Sequence, residues 1–274
     1  MVDPSESTVI TVISGVSRGL MDRADACLVV TYGAELGRRY VLDRPEMVVG
    51  RSRGCDIHLE QDSTSRRHAV IRYSAGAYQV QDMGSTNGTS VNDETVSDRR
   101  LEDGDELRFG RTVMKFLAGE ELERKYRECL VAVARTDGLT GATTASAFHE
   151  LVADEGARAR RYQRWLSLVT LELTGWDAYA DQAGRIYSDL RLRRIAQLIG
   201  GQLRTSDVLA RMDESEFAML LPETSQEQVS GYVERVSELI ADELDGLSLT
   251  VGSCSAFGDE CSERKLWAEA RRRR

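Results

Sequence analysis

The chain has few cysteines, and none of them is arranged for chemistry. The five, Cys27, Cys55, Cys129, Cys254 and Cys261, are odd in number and scattered, form no CxxC pair and have no histidine at metal-ligand spacing. This speaks against a disulfide framework or a metal site and implies a reduced, cytoplasmic protein. No apolar run approaches the roughly 20 residues of a membrane span, and the first residues lack the basic start and small-residue cleavage site of a signal peptide. A membrane partner is therefore not expected. An excess of positive charge is missing as well: 36 Lys and Arg stand against 45 Asp and Glu, a net charge of −9, so nucleic acid is not the expected partner. The closing run Arg271 to Arg274 reads as a solvated helix end. The chain also has no internal repeat.

What is present falls into three textures within 274 residues, enough for two domains that each bury a core. Residues 1 to 25 carry Ser, Thr and Asp around the β-branched patch Thr8 to Ile13 and read as a mobile tail. Residues 26 to 118 break into short β-type runs punctuated by Gly, Asp and Asn, the texture of an all-β sandwich. In residues 119 to 136, Leu122, Tyr126, Leu130 and Val133 recur at spacings of three and four, predicting an amphipathic connecting helix. Residues 137 to 274 then alternate: helix 145–161, strand 166–173, helix 186–203, hairpin 208–221, helix 226–244, strand 247–256 and a last helix from Glu263. That order predicts an α+β, ferredoxin-like domain.

Within the β region, Gly50-Arg51-Ser-Arg53, Ser65-Arg-Arg-His68, Asp82 to Asn92, Gly104-Asp105 and Phe109-Gly110 follow one another in order over about ninety residues. Together they resemble the forkhead-associated (FHA) domain. The resemblance implies a β-sandwich whose loops at one end bind phosphothreonine peptides. The chemistry agrees: a phosphate ester carries about −1.5 to −2 charges near neutral pH, and arginine offers a planar fork matched to its oxygens. Arg51 is the expected main phosphate ligand, with Ser65 and Thr86 adding hydroxyl donors and Arg66 a second cation. On the family pattern Asn87 bonds the peptide main chain, whereas His68 and Asn92 brace loops from inside. Gly50, Gly88 and Gly104 are expected at turns that need positive φ.

In the last region, Asp137-Gly-Leu-Thr140-Gly141, Glu172 through Asp189, and Asp213-Glu214-Ser215-Glu216-Phe217 resemble the DxLTG start, the central substrate segment and the signature hairpin of GGDEF diguanylate cyclases. The hairpin is degenerate. Cyclising GTP needs divalent metal held by carboxylates and a triphosphate brought close to main chain. Glu172 stands where the first metal-binding Asp belongs, but Ser215 replaces the second. Asp213 and Glu214 replace two glycines, adding Cβ atoms and negative charge that faces a triphosphate. Asp177 stands in place of a phosphate-binding Lys and Ala180 in place of a guanine-reading Asn, while Asp189 of the guanine pair survives. The expectation is a domain that does not catalyse, with no metal site and no required cofactor.

Just upstream, Arg204 and Asp207 keep the spacing of the family's RxxD product-binding motif, which implies a cyclic di-GMP site, with Arg211 and Arg235 as candidate helpers. A structural reading of the pair, in which Asp207 starts a strand and Arg204 caps the preceding helix, stands equally beside it. The composite expectation is a bacterial signalling protein that is not an enzyme and that binds a phosphothreonine partner or its own tail phosphorylated at Thr8 or Thr11. The connecting helix is a candidate homodimer contact. A residual cyclase with relocated ligands and a pseudoenzyme that binds no nucleotide are the alternatives.

Overall fold

A computed structural model describes residues 25–272; the tail with Thr8 and Thr11, and Arg273 and Arg274, lie outside the described residues. The chain divides into two compact units between Cys129 and Leu130. In the first, eleven strands run in order: β1 Ala26–Tyr32, β2 Arg39–Val41, β3 Glu46–Gly50, β4 Ile57–His58, β5 Ala69–Ser74, β6 Ala77–Asp82, β7 Thr89–Val91, β8 Glu94–Val96, β9 Asp98–Arg100, β10 Glu106–Phe109 and β11 Thr112–Ala118. They form a six-stranded sheet, β2-β1-β11-β10-β7-β8, and a five-stranded sheet, β4-β3-β5-β6-β9. Alternating residues of both sheets, among them Leu28, Val49, Ile71, Val80, Leu107 and Phe116, meet in one apolar core. With one face of each strand fixed inward, the loops at the strand ends are left to carry function.

Helix α1, Leu122–Arg135, crosses the division between the units. Its first half is fastened to the β unit, where Lys125 Nζ pairs with Asp103 Oδ2 at 2.7 Å and the Tyr126 hydroxyl donates to the Gly37 carbonyl at 3.1 Å. The second unit continues with β12 Thr143–Thr144, α2 Ala145–Tyr162, β13 Trp165–Thr174, α3 Trp176–Ala183, α4 Arg185–Gly200, β14 Val208–Arg211, β15 Glu216–Pro222, α5 Gln226–Leu244, β16 Ser248–Phe257 and α6 Glu263–Arg272. Helix α3 is additional to the elements expected, and the long helix expected over 186–203 ends at Gly200.

The sheet order is β12-β14-β15-β13-β16, with β13 antiparallel to both neighbours. Strand β13, interior to the sheet, is buried on both faces, which is why Leu166 to Leu173 reads as a near-continuous apolar run. Helices α2 and α6 share a core with one sheet face through Phe148, Val152, Leu266 and Trp267. A Cβ at Gly252 on β16 would collide with the carbonyl of Ala270 on α6, so helix and strand approach that closely only over glycine. Among the described residues no helix is long and apolar enough to cross a membrane.

Candidate functional site

Three loops at one end of the sandwich converge on an open cleft of about 680 Å³ lined by Arg51, Ser65, Arg66, Thr86 and Asn87, together with Asp62 and Arg67. The loops are tied to each other by main chain. Arg51 N–H donates to the Ser65 carbonyl at 2.9 Å and Ser52 N–H to the Arg66 carbonyl at 3.0 Å. Gly50 makes this approach possible: a Cβ there would collide with the Arg66 carbonyl. Gly50 therefore serves close packing and has no positive φ, in contrast to the turn expected; Gly88 and Gly104 do take positive φ, at 74° and 96°.

His68, fully buried, joins the second loop to the third. Its Nδ1 accepts from the Ser65 N–H at 3.1 Å, which leaves Nε2 as the donor to the Gly88 carbonyl at 3.0 Å. Burial lowers the pKa of this imidazole, the Gly88 bond opposing. The third loop is held by Asp82, whose carboxylate accepts from Gly84 and Ser85 N–H groups, each at 2.8 Å, and from the Ser85 and Thr89 hydroxyls at 2.6 and 2.7 Å. Burial works against the charge of Asp82, yet those bonds outweigh it and hold its carboxyl below the usual range.

On this frame the polar tips face one another. Ser65 Oγ accepts from Thr86 N–H at 3.0 Å and lies 3.4 Å from Thr86 Oγ1, and Asn87 Nδ2 donates to the Ser63 carbonyl at 2.7 Å. Arg51 is half-exposed and pairs with Asp62 at 3.0 Å, and Arg66 is exposed. Such a cluster of arginine forks and hydroxyls can take a dianionic tetrahedral group, on main chain that is already in place before it binds.

In the second unit the turn between β14 and β15 carries Asp213, Glu214 and Ser215. Neither Asp213 nor Glu214 takes a positive φ, so the turn does not require glycine. Arg211 fixes it from below, donating to the carbonyls of Asp213 and Glu214 at 3.2 and 3.0 Å and to the Asp137 carboxylate at 3.3 Å. Arg211 is thus committed to the hairpin rather than to the RxxD turn. Glu172 and Glu216 are direct cross-strand partners beside this turn, and Leu173 N–H donates to the Ser215 carbonyl at 3.0 Å. Asp189 is buried near the start of α4, and Ala180 sits on α3, accepting through its carbonyl from Gly184 N–H. Among the described residues no three His, Cys, Asp or Glu side chains are grouped to hold a metal ion.

Arg204 and Asp207 form a tight turn between α4 and β14. Asp207 Oδ2 accepts from the Arg204 N–H at 2.9 Å, while Asp207 N–H donates to the Arg204 carbonyl at 3.0 Å. The Arg204 residue is exposed. Tyr232 and Arg235, on α5, complete the surroundings: the Arg235 guanidinium lies 5.6 Å from the Tyr232 ring centroid, and the tyrosine's pKa is pushed up to about 12 by burial and by the charge of Asp207.

An FHA domain model matches residues 47–110, and a model described as diguanylate cyclase, GGDEF domain, matches residues 134–253. The chain is 39% identical over 101 residues to the oxoglutarate dehydrogenase inhibitor of Corynebacterium jeikeium, covering 37% of this chain and 70% of that protein. The chain belongs to the FHA family and carries a GGDEF domain behind its FHA domain. The FHA–GGDEF chain is also 42% identical over 107 residues to the glycogen accumulation regulator GarA of Mycolicibacterium smegmatis, covering 39% of this chain and 66% of that relative. It therefore spans just under two thirds of the length of that relative. The solved coiled coil and GGDEF domain of DgcB from Caulobacter crescentus, in complex with c-di-GMP, covers 56% of this chain and 84% of its own at 22% identity and a TM-score of 0.51, a likeness of fold.

The FHA domain brings Arg51, Ser65, Arg66, Thr86 and Asn87 to a single cleft. Reading the sequence missed Asp62 and Arg67, which line the same cleft. Arg67 lies within the Ser65 to His68 motif, whereas nothing in the sequence marks Asp62. In the GGDEF domain the degenerate positions Glu172, Asp213, Glu214, Ser215 and Glu216 gather around one hairpin end, while Arg204 and Asp207 pair in a separate turn.

Proposed function

We propose that this FHA–GGDEF protein is a signalling protein without catalysis: its FHA domain docks to phosphothreonine segments and its GGDEF domain senses cyclic di-GMP through Arg204 and Asp207. The observation that carries the first part is the convergence of Arg51, Ser65, Thr86 and Asn87 on a cleft whose walls are fixed by His68 and Asp82. For the second part, supporting observations are the exposed Arg204 beside an Asp207 already ordered by its own turn, with Arg235 nearby as a further cation. The loss of synthesis is supported by Ser215 in place of a carboxylate and by two added acids at the turn. The phosphorylated segment is a partner protein or the chain's own tail at Thr8 or Thr11. Self-association through α1, on which Val131 is 62% exposed, is the assembly this reading favours.

Calorimetric titration with phosphothreonine peptides tests the docking function. The full chain binds them, the unphosphorylated peptides do not bind, and Arg51→Ala loses at least tenfold in affinity, since charge-assisted bonds contribute about 1.5–3 kcal/mol each. Equal binding by Arg51→Ala would remove the FHA cleft from the account.

A further inference from the structure

The phosphate-reading cleft contains its own anion. Asp62 lies on the loop between β4 and β5, its side chain fully exposed, and its Oδ1 accepts from Arg51 Nη1 at 3.0 Å. Among the described residues lining the cleft it is the single acid, set against Arg51, Arg66 and Arg67. A carboxylate presents to an arginine fork the same pair of acceptor oxygens as one edge of a phosphate, with about half the charge. An exposed pair of this kind is weak. A phosphoryl group, with more charge and with the Ser65 and Thr86 hydroxyls also within the cleft, displaces it from Arg51.

Displacement leaves Asp62 as an uncompensated acid on the wall of an occupied cleft. It then faces the residues that flank the phosphothreonine. A neutral flank leaves the carboxylate with water alone, an acidic flank is repelled, and a lysine or arginine restores the ion pair that the phosphate broke.

We propose that Asp62 is a specificity-determining residue of the FHA cleft: it occupies Arg51 in the free protein and, once displaced by phosphate, selects phosphothreonine segments that carry a basic residue beside the phosphothreonine. The proposal rests on the reading of this cleft as a phosphothreonine site. It adds a cost to every ligand, because Arg51 must be released, and returns part of it only to ligands with the matching cation. The net result is discrimination rather than higher affinity.

The test titrates the full chain with phosphothreonine peptides in which one arginine is walked through the three positions on either side of the phosphothreonine in an otherwise neutral sequence. The wild type prefers at least one arginine position over the neutral peptide by roughly three- to fivefold, the range of an exposed ion pair. Asp62→Asn, a change at a fully exposed side chain, binds the neutral peptide more tightly by a similar factor and loses the preference for arginine. A preference that survives in Asp62→Asn, or no preferred arginine position in the wild type, overturns the proposal while leaving the cleft's phosphate reading intact, provided that binding still depends on Arg51. If no phosphopeptide binds, or if Arg51→Ala binds as the wild type does, the phosphate reading fails and the proposal with it.

Discussion

His68 shows how one buried side chain sets the geometry of an exposed site. It spans the Ser65 amide and the Gly88 carbonyl, so the loop that offers the Ser65 hydroxyl and the loop that offers Thr86 and Asn87 keep a fixed separation. Burial depresses its pKa below the ordinary value of 6.5, so below that value the unfolded chain takes up the proton first. The stability contributed by neutral His68 is therefore complete above about pH 6.5 and lost as the pH falls through the folded-state value. Denaturant titration of the protein at several pH values between 7.5 and 5 is expected to show FHA-domain stability falling below pH 6.5, with the slope in that window flattened in His68→Asn. Asp82 does not confuse the reading, because its depressed carboxyl is charged throughout that window. At this scale most of the cleft was legible: Arg51, Ser65, Thr86 and Asn87 stand at fixed spacings in ordered motifs. Asp62 was not, because a lone acid in a polar loop carries no pattern until its distance to Arg51 is known.

At the scale of elements, the turn from α4 into β14 and the hairpin after it divide the arginines. Arg211 is a candidate helper of Arg204 by sequence, but β14, which it ends, carries it toward the hairpin turn and Asp137, where three acceptors hold it. In the RxxD turn it is the main-chain N–H of Arg204 that Asp207 accepts, so the Arg204 guanidinium is not required for the fold. Arg204→Ala is thus expected to leave the thermal unfolding of the protein unchanged while weakening cyclic di-GMP binding by roughly ten- to a hundredfold, the loss of one or two charge-assisted bonds. Calorimetry on both forms checks it, and equal affinity would favour the purely structural reading of the pair. Long strands and helices were legible from their periodicity. The three-residue strands β2, β7, β8 and β9 and the two-residue β4 were not, because such stretches are too short to display alternation and exist only through pairing with their neighbours. Helix α3 escaped for a similar reason, being eight residues long and following directly on β13.

For the whole molecule, the two units differ in what their loop ends retain. The FHA cleft has its cations, hydroxyls and bracing groups in place, whereas the GGDEF hairpin has acids where two glycines are expected and a serine where a metal ligand is expected. The sheet β12-β14-β15-β13-β16 and its helices are unaffected by Asp213, Glu214 and Ser215, which sit at a turn that takes no strained backbone. The fold of both units was therefore legible from sequence even though the hairpin departs from its family. What the sequence could not give was whether Asp213 or Glu214 takes up the metal-binding place of the lost acid, since that depends on which side chains the turn brings together. The measurement that bears most directly on recognition without synthesis is incubation of the purified full chain with GTP and Mg²⁺, followed by chromatography of the nucleotides. The account predicts intact GTP and no cyclic di-GMP at any protein concentration; accumulation of cyclic di-GMP would contradict it.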